Sequence, residues 1–299
     1  MKLKEFNANL KPQSYSSGFG HNKNIINKLL LGNYLSDVKR RGFEFLDYRV
    51  YDVTDDASKI DWKASKKAQK LLVKETIEEK AVNVVFIVDV SDSMICASHP
   101  KLKSEYVAEL VCNIAFAVQR EGNAIGLVMF NEKVMVQIPP SIGMKQYHNM
   151  MKELQKPSNY GGGCDIKKAL RESIEIFKIP SLVILISDFL SVEKGWEDYL
   201  KIISMKFRLL GVMIRDPRDR ALPKDTGYFV LEDPSSKEKI IVDTKQYHKK
   251  FDEYVKKNEE YIRDSFKRAK SSVLELSSDT EFFNPLIKFL EKQSKVIAK

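Results

Sequence analysis

Cysteine and histidine are scarce in this sequence, and the motifs of common catalytic sites are missing. Its 299 residues include only 3 cysteines (Cys96, Cys112 and Cys164), which show no CxxC spacing, so neither a disulfide framework nor a zinc site is indicated. The 4 histidines are widely separated and form no local pattern of metal ligands or catalytic pairs. No phosphate-binding P-loop motif and no GxSxG nucleophile motif occurs, so the sequence indicates no particular reaction.

Long hydrophobic runs are also missing. The opening stretch MKLKEFNANLKPQ has no apolar segment of the kind found in signal peptides. The most apolar runs, Val84–Val88 and Leu182–Ile186, are far shorter than the roughly 20 residues that cross a bilayer. We therefore expect a soluble cytoplasmic protein without a membrane segment.

Hydrophobic and charged residues are both plentiful, at 43% and 30% of the chain, which is typical of a globular protein with a real core. Lysine and arginine number 50 against 41 acidic residues, a net charge of +9. A moderate basic excess is compatible with an acidic partner. The run Lys39–Arg41 and the lysine-rich stretch 249–270 are the candidate nucleic-acid contacts, although the latter also contains acidic residues.

Strands and helices are predicted to alternate from about residue 80 onward. Near-continuous β-branched runs such as 81–90 and 181–188 are typical of parallel strands buried on both faces. The predicted strands are 81–90, 124–130, 134–138, 181–188, 207–214 and 272–276, with a hairpin at 228–242; the predicted helices are 103–121, 143–156, 165–178, 195–206, 246–269 and 282–293. This alternation predicts the α/β class, with a doubly wound, mostly parallel sheet flanked by helices over 80–299.

The first 79 residues are predicted to form two further segments. Residues 1–42 are polar and read as a flexible leader with a short helix at 24–41. Residues 43–79 contain a strand at 43–51 and, after a turn, a helix or second strand at 62–79. We expect 43–79 to pack on the core because its aromatic side chains, Trp62 among them, carry much apolar area.

Hard oxygen ligands follow two of the predicted buried strands. Asp89, Ser91 and Ser93 come directly after the first strand, and Asp188 ends a later one. Carboxylates and hydroxyls that converge at one edge of a sheet suit Mg²⁺. The alternative is that these residues are ordinary turn and cap residues.

Together with the glycine loop that contains Cys164, these motifs resemble the von Willebrand factor A fold and its metal-ion-dependent adhesion site. The resemblance covers roughly residues 80–295 and implies a metal site of Asp89, Ser91, Ser93, Cys164 and Asp188. Cys164 stands where the family has threonine, and a thiol is a poor Mg²⁺ ligand, so weak Mg²⁺ binding is expected. Alternatively, Cys164 is a small residue tolerated beside a water-filled site.

Motifs on both sides of this region narrow the resemblance. They are Glu44-Phe45, Arg49-Val50-Tyr51, Asp55-Asp56, Ile60–Ser65, Val73-Lys74-Glu75, Glu78-Glu79, Arg215–Asp219 and Ala221-Leu222-Pro223. In this order they are similar to the family catalogued as domain of unknown function 58, although Thr54 and Ser58 depart from its pattern. The resemblance implies a MoxR-type AAA+ ATPase as partner.

Three functional hypotheses follow. The first is a non-enzymatic interaction module, in which Mg²⁺ at the site binds an acidic side chain of a partner such as the MoxR-type ATPase. The second is a basic nucleic-acid-binding protein. The third, a metal-dependent hydrolase, lacks a candidate base. Two features have further interpretations. Trp62 is interpreted as a core or interface anchor, and Arg215–Asp219 is either a partner-facing loop or a solvated loop.

Overall fold

A computed structural model describes residues 6–10, 29–32, 45–76, 82–176, 181–223, 227–233 and 236–297. The strands are β1 (Phe45–Val50), β2 (Leu72–Thr76), β3 (Asn83–Asp89), β4 (Ala124–Phe130), β5 (Val134–Ser141), β6 (Ser181–Ser187), β7 (Arg208–Arg215), β8 (Tyr228–Glu232), β9 (Lys239–Asp243) and β10 (Ser272–Ser277). The helices are α1 (Trp62–Ala68), α2 (Lys103–Arg120), α3 (Met144–Leu154), α4 (Ile166–Ile176), α5 (Trp196–Lys206), α6 (Pro217–Arg220), α7 (Thr244–Arg268) and α8 (Phe283–Ile297).

A six-stranded sheet in the order β10-β7-β6-β3-β4-β5 forms the centre of the molecule. Every neighbouring pair is parallel except β4 with the edge strand β5, which is antiparallel. From β3 the chain builds outward to β4 and β5, and from β6 it builds the other way to β7 and β10. The predicted doubly wound fold is confirmed, and its topological switch point lies between β3 and β6.

Helices cover both faces of this sheet, which explains why its central strands are apolar throughout. Val84, Phe86 and Val88 of β3 pack in one core with residues of α2, α3 and α8. Val85 and Ile87 point to the opposite core, which contains residues of α4, α5 and α7. Because both faces are buried, the strand has no polar side to alternate with.

Helix α2 follows the predicted period, with Val107, Leu110, Val111 and Val118 all fully or almost fully buried. The helix ends at Arg120, and Gly122 follows with a φ of +74°. Such a left-handed residue is favourable for glycine just after a helix. The first turn of α2 lies near the carboxyl ends of the sheet strands, because Lys103 contacts Asp188 after β6.

Residues 45–76 form a small unit in which β1 and β2 are antiparallel and α1 lies between them in sequence; its packing on the core stays a prediction. A helix or a strand was predicted over 62–79, and the structure has both: α1 comes first and β2 follows it. Val73 is fully buried and Ile60 is 9% exposed at the centre of the unit. Trp62, in contrast, is 68% exposed at the first position of α1, so it is not a core anchor.

The leader predicted over 1–42 is described only at residues 6–10 and 29–32; the rest of it, including most of the predicted helix 24–41, lies outside the described residues. Residues 6–10 lie along α2. The amide of Asn7 donates to Glu105 at 2.7 Å, and the ring of Phe6 lies 5.2 Å from that of Tyr160. Residues 29–32 are helical and carry buried leucines.

The C-terminal third adds the hairpin of β8 and β9 and the long helix α7, close to the predicted bounds. Across the described ranges, no helix combines the length and the apolar character needed to cross a membrane.

Candidate functional site

The predicted site residues meet at the edge of the sheet formed by the carboxyl ends of β3, β4, β6 and β7, which we call the rim. Asp89 ends β3, and Asp188 follows β6, the neighbouring strand. The Ser187 hydroxyl donates to Asp89 Oδ2 at 2.6 Å, and the Cys164 thiol lies 3.4 Å from the same oxygen. Cys164 and Ser187 are 75 and 98 positions away from Asp89 in sequence, yet both contact it at the switch point.

The loop after β3 brings two hydroxyls together. The Ser91 amide donates to Asp89 Oδ1 at 2.9 Å, which bends the chain out of the strand. The hydroxyls of Ser91 and Ser93 then lie 3.2 Å apart, with both residues buried. All of Asp89, Ser91, Ser93, Cys164 and Asp188 are therefore brought to one rim, as the strand ends predicted.

The glycine loop is bound to the loop after β3 by its backbone. The Gly161 amide donates to the Val90 carbonyl and the Asp92 amide to the Gly162 carbonyl, each at 2.8 Å. Gly161 and Gly162 have φ values of +112° and +87°, which side chains other than glycine rarely adopt. The amide of Gly163 points outward and donates to an exposed carboxylate from the β4–β5 turn, that of Glu132, at 3.0 Å.

Lys103 is the main rim residue that sequence reasoning missed. It starts α2, its side chain is only 1% exposed, and its ammonium lies 2.8 Å from Asp188 Oδ2 and 2.8 Å from Asp219 Oδ2. These partners are 85 and 116 residues away in sequence. The one available signal was a lysine at the first position of the mostly apolar helix that follows the loop after β3.

Electrostatics differ sharply between the two rim carboxylates. Burial raises the pKa of Asp89, and the negative charge of Asp188 raises it further. Burial also opposes the ionisation of Asp188, but the Lys103 ammonium, the Leu190 amide and the charge of Arg215 together hold the pKa of Asp188 below its usual value. Burial and the two carboxylates raise the pKa of Cys164, so its sulfur is a neutral thiol.

On sequence alone, the segment Arg215–Asp219 is either a partner-facing or a solvated loop. Arg215 and Asp216 are only 1% and 2% exposed, whereas Arg218 is exposed, so the first two residues are not solvated. Asp216 caps α6 by accepting the Arg218 amide at 2.8 Å, and its second oxygen accepts the Ser98 amide at 2.8 Å. These charged residues build the rim from the β7 side.

The residues at the rim do not fit the Mg²⁺ ion that the adhesion-site resemblance implies. The two serine hydroxyls suit a hard cation, but the thiol of Cys164 does not. Asp188 is already neutralised by the ammonium of Lys103. In the described part of the chain, no three His, Cys, Asp or Glu side chains are grouped so that they could hold a metal ion.

The fold and the rim define a doubly wound α/β domain with a polar site at its switch point. The chain belongs to the family described as Protein of unknown function DUF58, whose model matches residues 47–261, which confirms the resemblance found in the motifs. Curated relatives include Uncharacterized protein Rv1480 of Mycobacterium tuberculosis (strain ATCC 25618 / H37Rv) and Uncharacterized protein Mb1516 of Mycobacterium bovis. Each is 25% identical over 218 residues, which cover 72% of this chain and 68% of the relative.

Solved structures similar to this chain include BatB from Bacteroides thetaiotaomicron, at 15% identity and a TM-score of 0.48, covering 72% of this chain and 100% of that one. Another is a von Willebrand factor type A protein from Catenulispora acidiphila, at 15% identity and a TM-score of 0.44, covering 76% of this chain and 44% of that one. The fold assignment itself follows from the strand order described above.

Proposed function

We propose that this chain is a non-enzymatic protein-interaction module whose rim binds an acidic side chain of a partner protein. The observation that carries the proposal is the convergence of polar groups from separate strand ends at the switch point. Doubly wound sheets bind their ligands at this position. The rim of this chain is therefore the natural contact surface.

The rim chemistry argues against a catalytic role. The Ser187 hydroxyl is buried, donates its proton to Asp89 and accepts the Phe189 amide at 2.9 Å. The Cys164 thiol has a raised pKa, whereas a nucleophilic cysteine requires a lowered one. The group beside both side chains is the Asp89 carboxylate, of which they share one oxygen, and the Cys164 thiol stays protonated next to it.

An internal contact supports the preference for an acidic side chain. Glu132 is exposed, yet its carboxylate accepts the Gly163 amide at the mouth of the rim. A carboxylate from a partner would find the same donor if Glu132 moved aside. Exposed contacts of this kind cost little to exchange.

The proposed partner is a MoxR-type AAA+ ATPase, as the family resemblance implies. Nucleotide hydrolysis would then belong to the partner, and this chain would act as an adaptor in a chaperone-like assembly. This part of the proposal is drawn from analogy with the family rather than from the rim geometry.

Co-purification of the full chain from its native host tests the proposal, with Glu132→Ala as the perturbing variant and Glu193→Ala as the control. Glu193 is also exposed, but its carboxylate pairs with Lys167 outside the glycine loop. We expect an AAA+ ATPase to be recovered, with more of it on Glu132→Ala and an unchanged amount on Glu193→Ala. Recovery of nucleic acid that is lost at high salt, without an ATPase, would instead support the basic-protein alternative and refute the proposal.

A further inference from the structure

We infer that Lys103 is a built-in cation of the rim, which neutralises Asp188 in place of a metal and makes the native rim selective against Mg²⁺. This inference concerns the same rim as the proposed function, but it does not depend on the identity of any partner. The inference is based on one cluster of charged side chains, formed by Lys103, Asp188 and Asp219.

The geometry of the cluster is that of a permanent structural contact. The Lys103 side chain is 1% exposed and that of Asp188 is 2% exposed, with 2.8 Å between the ammonium and the carboxylate. Asp219, at 2.8 Å from the same ammonium, is 18% exposed and closes the cluster on the β7 side. A lysine this deeply buried does not swing away into solvent without leaving two carboxylates uncompensated.

The hydroxyls of Ser91 and Ser93 are placed as two ligands of a Mg²⁺ ion would be. The hydroxyls of Ser91 and Ser93 lie 3.2 Å apart, close to the roughly 3 Å that separates adjacent ligands of an octahedral Mg²⁺ ion. The hydroxyl half of a metal site is therefore already assembled. What is missing is a free carboxylate, because Lys103 neutralises Asp188.

The other rim carboxylate does not replace Asp188 as a ligand. Asp89 accepts the Ser91 amide on one oxygen, and the Ser187 hydroxyl and the Cys164 thiol on the other. The ammonium at Asp188 and the thiol at position 164 thus act in the same direction, against a divalent cation.

Thermal unfolding of the full chain with and without MgCl₂ tests the inference. Lys103→Gln removes the charge but keeps an amide that can donate to Asp188 and Asp219. The control is Lys101→Gln, because Lys101 pairs with Glu109 at the partly exposed edge of α2. At about 10 mM MgCl₂ we expect Lys103→Gln to gain about 3 °C in Tm, while wild type and Lys101→Gln gain nothing beyond a NaCl sample of equal ionic strength.

Four results decide the matter. A wild-type Tm that rises with MgCl₂ as much as that of Lys103→Gln would overturn the inference, and so would a folded Lys103→Gln that ignores Mg²⁺. If Lys103→Gln folds only when MgCl₂ is present, the inference is supported. If it does not fold at all, calorimetric titration of wild type with Mg²⁺ decides: measurable binding refutes the inference, and its absence supports it. A failed search for an acidic partner would refute the proposed function and leave these results unchanged.

Discussion

Replacement of Lys103 by methionine should lower the free energy of unfolding by about 3–5 kcal/mol at neutral pH, the usual cost of removing one partner from a buried ion pair. The methionine side chain fills much of the same volume, so the loss reports charge rather than a cavity. It leaves Asp188 buried without its counter-ion and Asp219 without its partner. Since domains are typically stable by about 5–15 kcal/mol, the variant should still fold.

Lys101→Met is the matched control. Lys101 pairs with Glu109 at 2.5 Å, but the two side chains are 37% and 13% exposed, so its loss should cost only about 0–1 kcal/mol. Urea unfolding followed by circular dichroism gives both values, with an unchanged m-value expected for each variant. A difference of less than about 1 kcal/mol between Lys103→Met and Lys101→Met would refute the assignment of Lys103 as a structural counter-ion.

The stability difference between wild type and Lys103→Met should depend on pH. The folded-state pKa of Asp188 is lowered by Lys103, so its contribution to stability is present above the unfolded pKa of about 3.9 and is lost as the pH falls through the folded pKa. In Lys103→Met the part of this contribution that Lys103 supplies is missing at every pH, while the Leu190 amide and Arg215 remain. The gap between wild type and variant should therefore narrow below about pH 4, and a gap that widens there would contradict the cause given for the lowered pKa.

Three further predictions concern other positions. Gly211→Ala should destabilise the protein by about 1–3 kcal/mol or more in urea unfolding, because the added methyl group would overlap the fully buried ring of Phe266; a neutral effect would contradict this packing. In the Lys103→Gln background, Cys164→Thr should tighten Mg²⁺ binding roughly tenfold by calorimetry, since it adds a hard oxygen ligand; unchanged affinity would place residue 164 outside the ligand shell. Trp62→Ala should change the free energy of unfolding by less than about 0.5 kcal/mol, because Trp62 is 68% exposed, and a larger loss would show that its indole is packed.

Local pattern determined most of the architecture. The central strands are buried on both faces, so their sequences are apolar runs that stand out without any knowledge of their neighbours. Helix α2 shows its period in the same way. The rim was predictable because parallel strands end at one edge, so polar residues after Asp89 and at Asp188 had to lie near each other. The family motifs predicted which family the chain belongs to, but they did not predict the contacts within its site.

Tertiary structure decided which charges lie at the rim and which are in water. Lys103 meets Asp188 and Asp219 across 85 and 116 residues, and no local spacing encodes such a contact. Arg215 carries a charge, yet it is buried at the end of β7, which lies between β10 and β6. Trp62 is the reverse case, an aromatic residue that is 68% exposed. Burial is a property of the assembled chain, so charge and aromaticity alone do not predict it.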